Sequence, residues 1–122
     1  MILRINGTLE IAHSLPKYEG KCKKLHGHRI EYLVSFEGDI QEDGMVEDFK
    51  ELDNIIQIVA NRFDHTYLND FIENPTLELF ATSFLNDLNQ EYERVKRDRK
   101  RGRFVKLEMW ETSKYGVVVS DE

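Results

Sequence analysis

Four residues near the start of the chain concentrate its chemistry: His13, Cys22, His26 and His28. The last three lie in Cys22-Lys23-Lys24-Leu25-His26-Gly27-His28, where a single cysteine precedes two histidines spaced i, i+2. Alternating polarity from His26 to Phe36 predicts a strand. In a strand, residues two apart share a face, so both imidazoles can meet one ion, and Gly27 leaves room for close approach. A catalytic zinc takes three protein ligands and keeps a fourth position open. The third donor is His13 by parity. Leu3, Ile5, Leu9, Ile11 and His13 share the odd face of a predicted first strand, and His28, Ile30, Tyr32, Val34 and Phe36 share one face of the second. Antiparallel pairing through a connection from Ser14 to Leu25 sets His13 beside the His26/His28 pair at one end of the sheet. Spacing alone leaves a second reading open, in which these histidines are hydrogen-bonded members of the core.

The elements that must position these groups follow in order. A first strand runs from about Ile2 to His13, with Asn6-Gly7 marking a bulge or local twist. A polar connection carries Pro16, Gly20 and Cys22. The second strand, Gly27 to Glu37, ends at Gly38-Asp39, and Glu42-Asp43-Gly44 is a further turn signal. Asp48 suits the N-cap of a helix whose apolar face is Phe49, Leu52, Ile55, Ile56, Val59 and Phe63. That helix ends before Asp64-His65, and Tyr67 to Pro75 reads as a connection. Thr76 suits a second N-cap, ahead of a long amphipathic helix with Leu77, Phe80, Ala81, Phe84, Leu85, Leu88, Tyr92 and Val95 on one face. Seven basic residues between Arg94 and Arg103, against the single acid Asp98, read as a solvated helix end and hairpin approach; a triphosphate or nucleic-acid contact is the alternative. Period-two alternation returns from Phe104, with Val105, Leu107, Met109 and Glu111 on one face, and a last strand covers Val117 to Ser120. The order ββααββ predicts an α+β fold: an antiparallel four-stranded sheet with two helices on one face.

Glu111 ends an otherwise apolar stripe. Burying it without a partner would cost several kcal/mol, so it is either solvated at the sheet end or meets a cationic or donor-rich ligand.

Composition sets the outer bounds. A chain of 122 residues, 40% hydrophobic and 33% charged, suits one soluble globular domain with a single core. No apolar run approaches the length of a membrane span, and the first residues alternate rather than forming a secretory signal. A lone cysteine fits a reducing compartment and leaves Cys22 as a free thiol. A cytoplasmic location is expected. The net charge of -6 argues against nucleic-acid binding.

An ordered set of short motifs then points to one family: Ala12-His13, Leu15-Pro16, Tyr18-Glu19-Gly20-Lys21-Cys22, Leu25-His26-Gly27-His28, Gly44-Met45-Val46 with Asp48-Phe49, Asp64-His65, Leu68-Asn69, Pro75-Thr76 with Glu78, and Glu111-Thr112. In these, across almost its whole length, the chain resembles the 6-pyruvoyl-tetrahydropterin synthase family. Its short Cys22 to His-Gly-His interval is most similar to the 6-carboxy-tetrahydropterin synthase branch of 7-deazaguanine (queuosine) biosynthesis. Arg29 and Leu79 depart from the family's usual residues and bear on substrate choice.

The resemblance implies a single domain over residues 1–122 with the tunnelling fold (T-fold). Three subunits' sheets join into a barrel, two trimers stack into a hexamer, and active sites lie between subunits. It implies zinc on His13, His26 and His28, a catalytic thiol at Cys22 supported by Asp64 and His65, and a pterin anchor at Glu111. Thr112, Thr76 and Glu78 fall at substrate-side positions, though Thr76 and Glu78 also suit a plain helix start. The implied reaction converts 7,8-dihydroneopterin triphosphate to 6-carboxy-tetrahydropterin, acetaldehyde and triphosphate. The alternatives are triphosphate elimination without side-chain cleavage, as in 6-pyruvoyl-tetrahydropterin synthase, or a non-catalytic pterin- or purine-binding T-fold protein. A zinc hydrolase lacks a glutamate base near the histidines, since Glu31 falls on the wrong face by parity.

Overall fold

The computed structural model describes residues 1–20 and 24–121; Cys22, with its neighbours Lys21 and Lys23, lies outside the described residues. Strands β1 (Ile2–His13) and β2 (His26–Gly38) come first, followed by helix α1 (Phe49–Phe63), a short strand β3 (Thr66–Tyr67) and helix α2 (Leu77–Lys96). Strands β4 (Gly102–Trp110) and β5 (Gly116–Ser120) complete the chain. The sheet order is β3-β1-β2-β4-β5. The four long strands pair antiparallel as the alternation predicts. The two-residue β3 is an addition: it pairs parallel to Ile11 and Ala12 along the outer edge of β1. A strand of two residues has no periodicity to read. It forms because His65, at φ 59°, turns the chain out of α1 and back along β1.

Both helices cover one face of the sheet. Asp48 caps α1 by accepting the Lys50 N–H at 2.8 Å, and Thr76 caps α2 by accepting the Leu79 N–H at 3.2 Å; each satisfies a first-turn donor. Leu52, Ile55, Ile56, Val59 and Phe63 from α1 meet Phe80, Phe84, Leu88 and Tyr92 from α2 over Leu9, Ile30, Val34 and Phe36 of the sheet. Phe49 departs from its predicted place on the buried face. It is 57% exposed, standing in the first turn beside Arg4, Ile5 and Asn6 at the free edge of β1.

Two parity expectations are corrected. Asn6-Gly7 forms no bulge, since the β1/β2 register is unbroken from Ile2 to His13. Gly7 is there because the Tyr32 ring lies across it, and a Cβ would collide with that ring. The irregularity falls instead between Ser35 and Phe36, which pair with Lys106 and Phe104. Val105 is therefore the extra residue, and Phe104 takes its expected place in the core with no exposed surface.

The basic run lies at the other end of the sheet from the histidines. Gly102 pairs with Gly38 while Trp110 pairs with Glu31, so the nine residues of β4 separate it from Glu111 by roughly 27 Å. Most of its cations have acidic partners in the chain: Arg94 with Glu91, Lys100 with Glu93, Arg101 with Asp43 and Arg103 with Asp121. Lys96 is the buried member, 3.3 Å from Glu47 and 3.0 Å from Glu51. Glu47 also accepts from the Tyr92 hydroxyl at 2.7 Å, which in turn accepts the Arg101 N–H at 2.8 Å. This network ties the turn after α2 to the start of α1.

Removing one partner of a buried ion pair strands the other charge. Lys96→Ala is expected to lower unfolding free energy by about 3 kcal/mol in urea titrations. Lys100→Ala, at an exposed pair, should change it by less than about 1 kcal/mol.

Candidate metal centre

The first two strands bring the three histidines together through their register alone. His13 pairs with His26 and Ile11 with His28, so all three side chains occupy the helix-covered face where the core stripe ends. Their ring centroids lie 4.4, 4.7 and 5.1 Å apart, each pair edge to face.

Hydrogen bonding fixes what the rings offer. His13 Nδ1 lies 2.7 Å from the Pro75 carbonyl and His26 Nδ1 lies 2.8 Å from the Lys24 carbonyl. A carbonyl only accepts, so each Nδ1 carries a proton, and a ring protonated there alone presents a bare Nε2 lone pair. Those two Nε2 atoms face each other at 2.8 Å. Two lone pairs at that distance repel unless a cation stands between them. His28 Nε2 is buried with no hydrogen-bond partner among the described residues, and Glu111 Oε1 lies 3.6 Å from it. Burial holds His13 and His28 below the ordinary histidine value of 6.5, against the opposing pull of Glu111 on both, so these two rings favour the neutral form, which can ligate, over the protonated one. The three possible ligand atoms lie within 4.8 Å of one another. Three neutral nitrogens, two oriented by backbone acceptors and one orphaned, fit a divalent metal of the zinc type.

Glu111 stands just past β4, with its N–H donated to the Tyr115 carbonyl. Its neighbour Thr112 spends its hydroxyl oxygen on the turn, accepting the N–H groups of Lys114 and Tyr115 at 3.1 Å each. Thr76 is the N-cap of α2, and Glu78 is exposed in the first turn. Asp64 and His65 do not join the histidine group. They lie across β1 from β2: Asp64 Oδ1 accepts the Glu10 N–H at 2.7 Å, and the His65 N–H donates to the Glu10 carbonyl at 2.6 Å. The two side chains approach each other at 3.1 Å, with the His65 side chain 76% exposed. Glu31 lines a hollow on the uncovered sheet face with Asn6, Thr8 and Trp110, consistent with its parity.

Sequence reading misses the groups that orient the histidines. Two are backbone carbonyls, at Lys24 and Pro75, which no side-chain pattern reveals. Tyr67, at the end of β3, and Asn69, just after it, contact Ser14 next to His13, again through contacts that no local pattern announces.

The whole backbone is similar to solved 6-pyruvoyl tetrahydropterin synthase structures. That of Caenorhabditis elegans matches with a TM-score of 0.83 at 22% identity, covering 100% of this chain and 96% of that one. The likeness defines the fold class, the tetrahydropterin synthase T-fold. Residues 2–122 match the family model described as 6-pyruvoyl tetrahydropterin synthase, and the chain belongs to that family of pterin enzymes. A provisionally named 6-carboxy-5,6,7,8-tetrahydropterin synthase of Archaeoglobus fulgidus is 39% identical over 81% of this chain and 85% of its own length. The 6-carboxy-5,6,7,8-tetrahydropterin synthase of Synechocystis is 43% identical over 61% of this chain and 64% of its own. A dihydroneopterin monophosphate aldolase of Pyrococcus furiosus is 30% identical over 90% of this chain and 89% of its own.

The lowered histidine values carry a pH signature. Just below pH 6.5 the unfolded chain binds protons that the folded chain resists, so stability rises with pH across that window. Metal-free protein is therefore expected to lose stability as pH falls below 6.5. Denaturant titrations at stepped pH should show this slope, and the double variant His13→Asn/His28→Asn should flatten it.

Proposed function

We propose that the chain is a zinc-dependent lyase converting 7,8-dihydroneopterin triphosphate and one water to 6-carboxy-5,6,7,8-tetrahydropterin, acetaldehyde and triphosphate, on a route to 7-deazaguanine bases of the queuosine type. The observation that carries the metal reading is the pair of Nε2 lone pairs of His13 and His26 facing each other at 2.8 Å. The relatives named 6-carboxy-tetrahydropterin synthase and the three-residue interval between Cys22 and His26 support the carboxy-forming outcome. His13, His26 and His28 would hold the zinc, which supplies Lewis acidity toward the substrate's side-chain hydroxyls.

The remaining work falls to the protein's own groups. Glu111 accepts two parallel hydrogen bonds from the amino and ring N–H groups of the pterin, fixing the ring by orientation beside His28. Thr112, Thr76 and Glu78 border the substrate. Cys22 moves the proton at the side-chain carbon. A thiol of ordinary pKa near 8.5 needs a nearby positive or proton-accepting group for that role. His65, oriented by Asp64, is that group.

Because Asp64 and His65 lie across β1 from β2, the complete site is shared between subunits. Among the described residues, β5 and the part of β1 before Glu10 have outer edges with no partner strand, which supports joining of sheets into a barrel and assembly as a hexamer of two trimers. The protein is proposed to act in the cytoplasm without nucleic-acid or membrane partners; among the described residues no helix is long and apolar enough to cross a membrane.

The Pyrococcus furiosus relative supports a second reading, aldol-type cleavage of a dihydroneopterin carrying a single phosphate. Incubating zinc-loaded protein with 7,8-dihydroneopterin triphosphate and with the monophosphate separates the two. Carboxy-pterin with stoichiometric acetaldehyde from the triphosphate supports the proposal; cleavage of the monophosphate alone supports the second reading, and a pyruvoyl product without aldehyde overturns both. Cys22→Ala and chelation of the metal should each abolish turnover. Glu111→Ala should raise KM for the pterin at least tenfold, equivalent to about 1.4 kcal/mol of lost binding, as read from initial rates.

A further inference from the structure

One segment, from Asp64 to Pro75, holds the site end of β1 residue by residue. Glu10 is gripped by Asp64 and His65, Ile11 and Ala12 pair with Thr66 and Tyr67, and His13 donates to Pro75. The last grip is the most specific. Asn69 Oδ1 accepts the Ser14 N–H at 2.9 Å, Asn69 Nδ2 donates to the Ser14 carbonyl at 2.9 Å, and the Tyr67 hydroxyl lies 3.0 Å from Ser14 Oγ.

A side-chain amide that satisfies both the N–H and the C=O of one residue does what a neighbouring strand would do. It carries the β1 ladder on to Ser14, two residues past Ala12, the last residue that β3 pairs. Ser14 directly follows His13, and the connection toward His26 begins there. Without Asn69, both backbone groups of Ser14 would turn to water, and the backbone carrying His13 would end in a free strand terminus. Asn69 itself is fixed, because the adjacent Leu68 is 1% exposed and the Leu68 carbonyl accepts the N–H groups of Phe71 and Ile72 at 2.9 Å each. Thr76, next to Pro75, starts α2. The acceptor for His13 and the clamp on Ser14 thus belong to one rigid piece.

We infer that Asn69 is a positioning residue for the metal centre: its amide locks Ser14 so that His13 Nε2 meets His26 Nε2 without searching. This rests on the reading of the three histidines as a metal centre. Tyr67 supports it through the Ser14 hydroxyl. Partners beyond the ligands commonly change metal affinity by ten- to a hundredfold when removed.

The experiment compares wild type, Asn69→Ala, Asn69→Asp and Tyr67→Phe in the full chain, at a temperature where each metal-free protein is folded by circular dichroism. Cobalt(II) affinity is measured by competition with a chromophoric chelator, the cobalt visible spectrum reports ligand geometry, and hydrogen exchange is followed at the Ser14 amide. Asn69→Ala is expected to weaken cobalt at least tenfold, alter the spectrum and expose the Ser14 amide. Asn69→Asp, which keeps the acceptor for the Ser14 N–H and loses the donor, should fall between, and Tyr67→Phe should change affinity less. Unchanged affinity and spectrum in Asn69→Ala, with only a lowered Tm, would reduce Asn69 to a structural residue and overturn the inference. If wild type takes up no cobalt, the metal reading fails on its own account. The clamp is then decided by the Ser14 amide: lost protection in Asn69→Ala keeps it, and retained protection overturns it.

Discussion

The site depends on the pairing of His13 with His26 across β1 and β2. That register places two imidazoles so close that their Nε2 atoms meet at 2.8 Å, and the backbone carbonyls behind them leave both atoms as acceptors. Such an arrangement is unfavourable in an empty apolar pocket and favourable around a cation. The hydrophobic stripes of both strands, Leu9 and Ile11 on one and Ile30, Tyr32 and Val34 on the other, fix the register, because a one-residue slip would turn every core side chain outward. Core packing and the geometry of the three-histidine group therefore come from the same pairing.

The two ends of the sheet have separate tasks. At the site end the three histidines meet Glu111 and the carbonyl of Pro75. At the far end, the basic run is bound mostly into ion pairs, with the buried Lys96–Glu47 pair and the Tyr92 hydroxyl tying α2 to the start of α1. A cluster of seven cations in an acidic chain invites a reading as an anion site. Its pairing and its distance from Glu111 make it chiefly a structural fastening within one chain.

Asp64 and His65 show how a fold can keep chemically paired residues out of a site within one chain. Their backbone and carboxylate bonds to Glu10 hold them against the outer edge of β1, and the left-handed backbone at His65 presents its imidazole to solvent. A group held rigidly yet exposed at a sheet edge is well placed to serve a surface brought to it by another subunit.

The sequence by itself determined most of the elements and the grouping of the three histidines. Period-two parity aligned His13 with Leu9 and Ile11, the i, i+2 spacing put His26 and His28 on one face, and Asp48 and Thr76 marked both helix starts. These are local signals, carried by a few neighbouring residues. Tertiary structure decided what local pattern cannot encode. The bulge at Ser35/Phe36 exchanged Val105 for Phe104 in the core, because it depends on how two distant strands meet. Strand β3 was too short to have a period. The carbonyls of Lys24 and Pro75 orient His26 and His13 through backbone atoms that every residue possesses, so only their placement in space distinguishes them. Asn69 belongs to the same class: its amide has meaning only once the chain has folded to set it against Ser14, 55 residues away.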